Sequence, residues 1–210
     1  MRLELVPLFP LGVVLFPGTT LPLHIFEERY KQMIGELLDG AKEFGVVLAG
    51  EKGIVNTGCM ARIEQVLKRY EDGRMDILAA GRRRFELVKL DEAKVYLRAV
   101  VKYFDDREEA APPEEDLVER AIRGYYSLKS LDDSGALPEP RLNDPHLSFQ
   151  LAQAIWDLDF RQTLLALRSE AERIRQLAEY MPNYVAKQRR ITRFRQAVPG
   201  NGRGRLDWNS

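Results

Sequence analysis

The sequence predicts an α+β protein: a small, partly closed β-barrel with one early helix, followed by an α-helical bundle. Three observations carry this. Short β-type runs parted by Gly, Pro and Asp-Gly turns fill the chain up to Tyr103. An acidic, proline-bearing stretch, Asp105 to Glu115 (DDREEAAPPEE), then changes the texture. Beyond it, apolar residues recur at helical spacing.

The opening runs Leu3 to Phe9 and Thr20 to Phe26 read as strands, with Pro17-Gly18 between them placed for a type II turn. Pro7, Pro10 and Pro22 predict edge positions or breaks, because proline donates nothing to a ladder. Tyr30, Met33, Ile34, Leu37 and Leu38 give a helix one apolar face. Phe44 to Ala49 reads as a buried strand and Gly50 to Gly58 as a turn-rich link. Cys59 to Tyr70 pairs with Met75 to Ala80 across Asp72-Gly73, a hairpin signal. Phe85 to Leu90 and Tyr96 to Tyr103 complete the strands.

After the boundary, Glu114 to about Leu131 predicts a helix with acids in its first turn. Asp132 to His146 is a loop. Ser148 is placed to cap a helix that turns Leu151, Ala152, Ile155 and Trp156 inward. Asp159 with Gln162 has capping-box spacing for a helix over Arg161 to Met181, which Pro182 interrupts before a last basic segment, Tyr184 to Ala197.

Lysine and arginine number 32 and aspartate and glutamate 32, so the chain carries no bulk charge to draw it onto nucleic acid or an anionic membrane. Glu4, Pro7 and Pro10 break the first apolar run, which argues against a signal peptide, and no run is long enough for a membrane span. Cys59 is the single cysteine, which excludes an internal disulfide and suits a reducing, cytoplasmic setting.

Catalytic chemistry is poorly provided for. Gly53 to Gly58 has P-loop glycine spacing, but Cys59-Met60 stand where lysine and a hydroxyl residue are needed. Two histidines, His24 and His146, and one cysteine make no zinc set. Asp144, His146 and Ser148 sit two apart in a loop, where helix-start roles explain them better than a triad. Ser127, Lys129 and Ser130 fall on an amphipathic helix, and Asp105 to Glu109 reads as a solvated linker. No catalytic residue, metal or cofactor is expected.

Several motifs occur in a telling order: Pro7-Leu8, Leu15-Phe16-Pro17-Gly18, Leu21-Pro22-Leu23, a helix from Glu27, Gly58 to Val66 (GCMARIEQV), Asp72-Gly73 and Gly81 to Phe85 (GRRRF). Together they resemble the Lon protease N-terminal domain family, whose Gly-x-x-Ala-x-Ile strand and Gly-x-x-Arg-Phe element they match. The resemblance extends to about Arg195. It implies a PUA-like β-domain, here over 1–108, and a helical domain over 109–197; the glycine- and asparagine-rich end reads by composition as a disordered tail over 198–210. It also implies substrate recognition without catalysis, since the ATPase and serine-lysine peptidase modules of full-length Lon proteases follow this region and are not expected here.

Two surfaces are candidates for binding. Phe9, Leu11 and Phe16, near turns, would take apolar polypeptide if exposed together, with Tyr70 and Arg83 framing the site. The partners would be polypeptide clients, or a protease or chaperone. The alternative is nucleic acid, held by Arg82, Arg83 and Arg84 and by Arg189, Arg190 and Arg193.

Overall fold

The computed structural model describes residues 3–51, 53–107 and 111–197. Strands β1 (Leu3–Leu11), β2 (Thr20–Ile25), β3 (Glu43–Gly50), β4 (Gly53–Arg69), β5 (Met75–Asp91) and β6 (Arg98–Phe104) form one six-stranded sheet, with α1 (Glu28–Leu38) between β2 and β3 in the chain. Helices α2 (Glu115–Lys129), α3 (Leu147–Leu151), α4 (Leu158–Ala166) and α5 (Glu170–Ala197) follow, with a single 3-10 turn at Ala152–Ala154. The α+β class is as the sequence predicts.

The sheet closes on itself. β5 pairs with β4, β4 with β3, β3 with β1 and β1 with β6, and β6 returns to β5. Inside this ring Val6, Leu8, Val47, Met60, Phe85, Ala99 and Val101 form one buried cluster. Phe85 fills it because Gly45 and Gly58 leave room: a Cβ on Gly58 would stand 2.4 Å from the Phe85 ring, and one on Gly45 2.8 Å. β2 lies outside the ring and has β5 as its one strand partner among the described residues.

β5 changes partner along its length. Its residues 75–80 pair with β2 and 84–91 with β6. Gly81 stands at the handover, where its carbonyl accepts from Gly18 N–H (3.0 Å) and its N–H donates to the Thr19 carbonyl (2.8 Å). A Cβ there would lie 2.0 Å from the Phe16 carbonyl oxygen. The Pro17-Gly18 turn is present as expected, with Thr19 N–H donating to the Phe16 carbonyl and Gly18 at φ +73°.

Three strand expectations are corrected. The expected link over 53–58 is the start of β4, and the two strands expected at Met75 to Ala80 and Phe85 to Leu90 are one, β5. β5 stays in the β4 ladder across its partner change through register shifts, so the chain need not turn. β1 lies between β3 and β6 rather than at an edge. Its residues 3–7 pair with β6 and 8–11 with β3, so Pro7 and Pro10 each sit beside one ladder, not between two.

A second, larger cluster lies outside the ring and joins it to the helices. α1 buries Tyr30, Met33, Ile34 and Leu37 as its spacing predicts, and Tyr30 stacks on Phe9 at 4.0 Å. Phe16 stacks on Phe149 of α3 at 5.2 Å. α2 and α5 pack closely at Gly124, where a Cβ would stand 2.6 Å from Met181 Sδ.

The helix expectations need more correction. Ser148 lies inside α3 and caps nothing; its hydroxyl turns to Glu170. The cap of α4 is Asp157, whose carboxylate accepts from Phe160 N–H at 3.0 Å, two residues before the expected Asp159. The helix expected over Arg161 to Met181 breaks at 167–169, because the Leu167 carbonyl is taken by the guanidinium groups of Arg84 and Arg173. α5 runs through Pro182 without interruption, held by the burial of Met181, Tyr184 and Val185 around it. Ile155 is buried as expected, but Trp156 is 76% exposed. The tail expected over 198–210 lies outside the described residues.

Candidate functional site

The apolar site read from the sequence does not survive as drawn. Phe9 and Phe16 are core residues, 5% and 0% exposed, and no client can reach their rings. Their motif alternates β-type and turn residues, and the Phe16 turn folds under the helices rather than out to solvent. Leu11 is half-buried against the same core. Tyr70 and Arg83 do not frame one site. Tyr70 stands at the β4–β5 hairpin end, while Arg83 lies over the Tyr103 ring at 4.9 Å and pairs with Asp105.

The arginine run on β5 is likewise not a free basic patch. Arg82 pairs with Glu64 at 2.7 Å and Arg83 with Asp105 at 3.0 Å. Arg84 is buried and pairs with Asp106 at 2.5 Å. Arg189, Arg190 and Arg193 are exposed on the far half of α5.

Arg84 belongs to a buried polar knot between ring and helices that sequence reasoning missed. Arg173, fully buried, donates to both Asp106 oxygens, to Glu170 at 2.7 Å, to Ser148 Oγ at 2.8 Å and to the Leu167 carbonyl. Phe149 lies beneath it, with the guanidinium 4.3 Å from the ring centroid. Burial pushes the Asp106 carboxyl up, but the hydrogen bonds and charges of Arg173 and Arg84 outweigh burial and hold it below the usual carboxylate range. The signal was legible in one place: Arg173 shares a helix face with Leu177 and Met181, and a charge on an apolar stripe needs a buried partner.

The groups that could carry reactive chemistry are engaged otherwise. Asp106, His146 and Glu170 stand close enough to hold a cation, but two guanidinium groups already compensate the carboxylates. Ser148 Oγ donates to Glu170, and Asp144 accepts from the His146 backbone N–H, so the three make no triad. Lys129 is tied to Glu139, and Ser130 Oγ to the Ser127 carbonyl. Cys59 is fully buried, which pushes its thiol up to about 12 and leaves no thiolate. No described helix is long and apolar enough to cross a membrane.

What the surface offers is aromatic. At the hairpin end, His24 and Phe26 stack at 5.9 Å and Tyr70 meets His24 edge-on at 5.8 Å. Asp76 fixes the group: its two oxygens take His24 Nδ1 at 2.6 Å and the Tyr70 hydroxyl at 2.8 Å, and these hydrogen bonds hold its carboxyl below the usual range. Phe26 is 60% exposed. Of the residues read from the sequence for polypeptide binding, Tyr70 alone stands in this patch. A second aromatic surface gathers on α4 and α5 near Trp156, where Phe160 and Tyr180 stack at 3.8 Å.

Residues 5–188 match the family model of the ATP-dependent protease La (LON) substrate-binding domain. The Lon protease of Parabacteroides distasonis is 30% identical over 146 residues, 65% of this chain and 17% of that protein. The Lon protease of Roseiflexus castenholzii is 26% identical over 192 residues, 85% of this chain and 24% of that protein. This chain therefore spans less than a quarter of the length of these curated relatives. Among solved structures, a Lon N-terminal domain protein from Xanthomonas campestris superposes with a TM-score of 0.69 at 24% identity, covering 85% of this chain and 99% of that one. The N-terminal domain of Mycobacterium avium complex Lon protease gives 0.60 at 17% identity, covering 86% and 100%. The likeness to both structures is one of fold. Of the residues of the two motifs, Phe85 fills the ring and Gly58 gives it room, Gly81 lets the Phe16 turn approach, Ala61 and Ile63 are buried strand positions and Arg84 anchors the polar knot. The chain belongs to the family of the Lon substrate-binding domain.

Proposed function

We propose that this protein is a non-catalytic, cytoplasmic polypeptide-recognition module, a PUA-like barrel with a helical bundle, that binds unfolded or degradation-bound chains and presents them to a protease or chaperone. The observation that carries this reading is the fixed aromatic group His24–Phe26–Tyr70 beside β2, the strand with a single partner among the described residues. An extended client adds to the open side of β2 through its backbone and sets alternate apolar side chains on the rings. Pro22 removes one donor from β2 and so limits how long a segment pairs, which suits transient binding.

Phe26→Ser tests the reading, because so exposed a ring contributes little to the fold. Binding of a reduced and alkylated, permanently unfolded polypeptide is measured by fluorescence anisotropy. The variant is expected to bind at least about tenfold more weakly, as for an interface anchor. Equal affinity in a folded variant removes this patch from the function.

A further inference from the structure

The peptide unit between Ile155 and Trp156 is held from both sides. Its carbonyl accepts from Arg161 Nη1 at 3.3 Å, and its N–H donates to the Tyr184 hydroxyl at 3.0 Å. Arg161 is itself anchored on the ring side, donating to the Val14 carbonyl at 2.8 Å with its guanidinium 5.0 Å from the centroid of Phe16. The structure thus fixes the backbone of Trp156 while leaving its side chain in water. An indole held exposed on a rigid backbone has prepaid much of the ordering cost of binding.

Two open grooves meet at Tyr184. One, of about 510 Å³, is lined by Phe160, Tyr180, Asn183 and Lys187; the other, of about 320 Å³, by Trp156, Leu137, Gln188 and Ile191. The Tyr180 hydroxyl donates to Asp157, while the Tyr184 hydroxyl accepts from Trp156 N–H and Tyr184 is buried, so the aromatic surface of the grooves comes chiefly from Trp156, Phe160 and Tyr180. Asn183 and Gln188 bring one amide to each groove, a match for peptide groups. Along α5, residues 180–197 contain no acid; Lys187 lines one groove, and Arg189, Arg190 and Arg193 are exposed on the same stretch of helix.

We propose that this surface docks an extended segment of another polypeptide that carries a large apolar side chain followed by acidic residues. The apolar group packs against Trp156 and the Phe160–Tyr180 stack, and the acids face Lys187 and Arg190. The inference rests on the reading that the protein recognises polypeptide, and it adds the chemical class of the segment and a second place to hold it. A nucleic acid fits less well. Glu179 lines one groove and Asp132 and Asp133 the other, and a backbone charged at every phosphate cannot avoid them, whereas a peptide places its acids selectively.

The test uses the full chain carrying Trp208→Phe, which leaves Trp156 as the one tryptophan. It is titrated with two short synthetic peptides, both bearing phenylalanine and differing only in glutamate against lysine, and with oligo(dT). The acidic peptide is expected to shift Trp156 emission to the blue and to bind at least about tenfold more tightly than the basic one. Lys187→Glu is expected to erase that preference. Trp156→Ala, read by anisotropy of the labelled peptide, is expected to weaken acidic binding with the circular dichroism unchanged. Peptide binding that leaves Trp156 emission and the Trp156→Ala affinity unaltered overturns this site while the polypeptide reading stands. No binding of any peptide or unfolded chain overturns both. Oligo(dT) quenching Trp156 where peptides do not gives the surface to nucleic acid and overturns the proposal.

Discussion

Arg173 forks onto Asp106, with Nη1 to Oδ1 at 2.7 Å and Nη2 to Oδ2 at 2.5 Å, across the seam between the strand ring and the helices. Arg84 reaches the same carboxylate from β5. One acid therefore compensates two buried cations, with Glu170 sharing Arg173.

Asp106→Asn is expected to cost about 3–5 kcal/mol, because it leaves buried guanidinium charge without its partner. Urea unfolding measures it. The folded carboxyl lies below its unfolded value, so the stabilisation is fully present above the unfolded pKa of about 4 and is lost as pH falls through the folded value. The stability gap between wild type and Asp106→Asn is expected to narrow below that pH. A gap that stays constant into acid contradicts the account.

Phe16→Ser is expected to destabilise by about 3–5 kcal/mol or to abolish folding, since the ring is fully buried between Phe149 and the Arg161 guanidinium. Any loss of binding in that variant reports unfolding, not a lost contact. Thermal unfolding separates the two, and a cooperative melt near that of wild type contradicts the burial.

Glycines at different places should respond in opposite directions. Gly81→Ala drives a Cβ into the Phe16 carbonyl and is expected to lose at least about 2 kcal/mol. Gly35→Ala, in the middle of α1 with nothing within 4 Å, is expected to gain up to about 1 kcal/mol. Paired urea titrations of the two variants give the comparison.

Pro182→Ala is expected to stabilise by about 1–3 kcal/mol, since it restores a helix donor at an exposed position inside α5. Amide exchange around Ala178 should slow as well. A neutral or destabilised variant would mean that Pro182 has a packing role not apparent in its surroundings.

The strands were more legible than the helices. Alternation, the Pro17-Gly18 turn and Asp72-Gly73 are local signals, and the strands they predict are present, as is the apolar face of α1. The partner change of β5 was not legible, because neither ladder leaves a mark on sequence where one strand swaps neighbours. In the helical part, local signals competed with distant contacts and lost. Ser148 has cap chemistry, but Glu170 and Arg173 claim it. Leu167 continues an apolar stripe, yet two arginines take its carbonyl and end the helix. The binding surfaces were the least legible. Phe9 and Trp156 are both large aromatics near turns, and which one is covered depends on where α1 and α5 come to lie.

The uninterrupted course of α5 has a mechanical consequence. Its 28 residues make a rod on the order of 40 Å long. The rod is gripped near one end by Asp106 through Arg173 and along its first half by Leu177, Ala178 and Met181, while Lys187, Arg189, Arg190 and Arg193 stand exposed on its second half. A pull on that outer half is not absorbed by a hinge, because α5 has no break; it is delivered as torque to the ion-paired seam. Whatever grasps the outer half therefore keeps a set bearing on the strand ring, and work done there is felt first at Asp106.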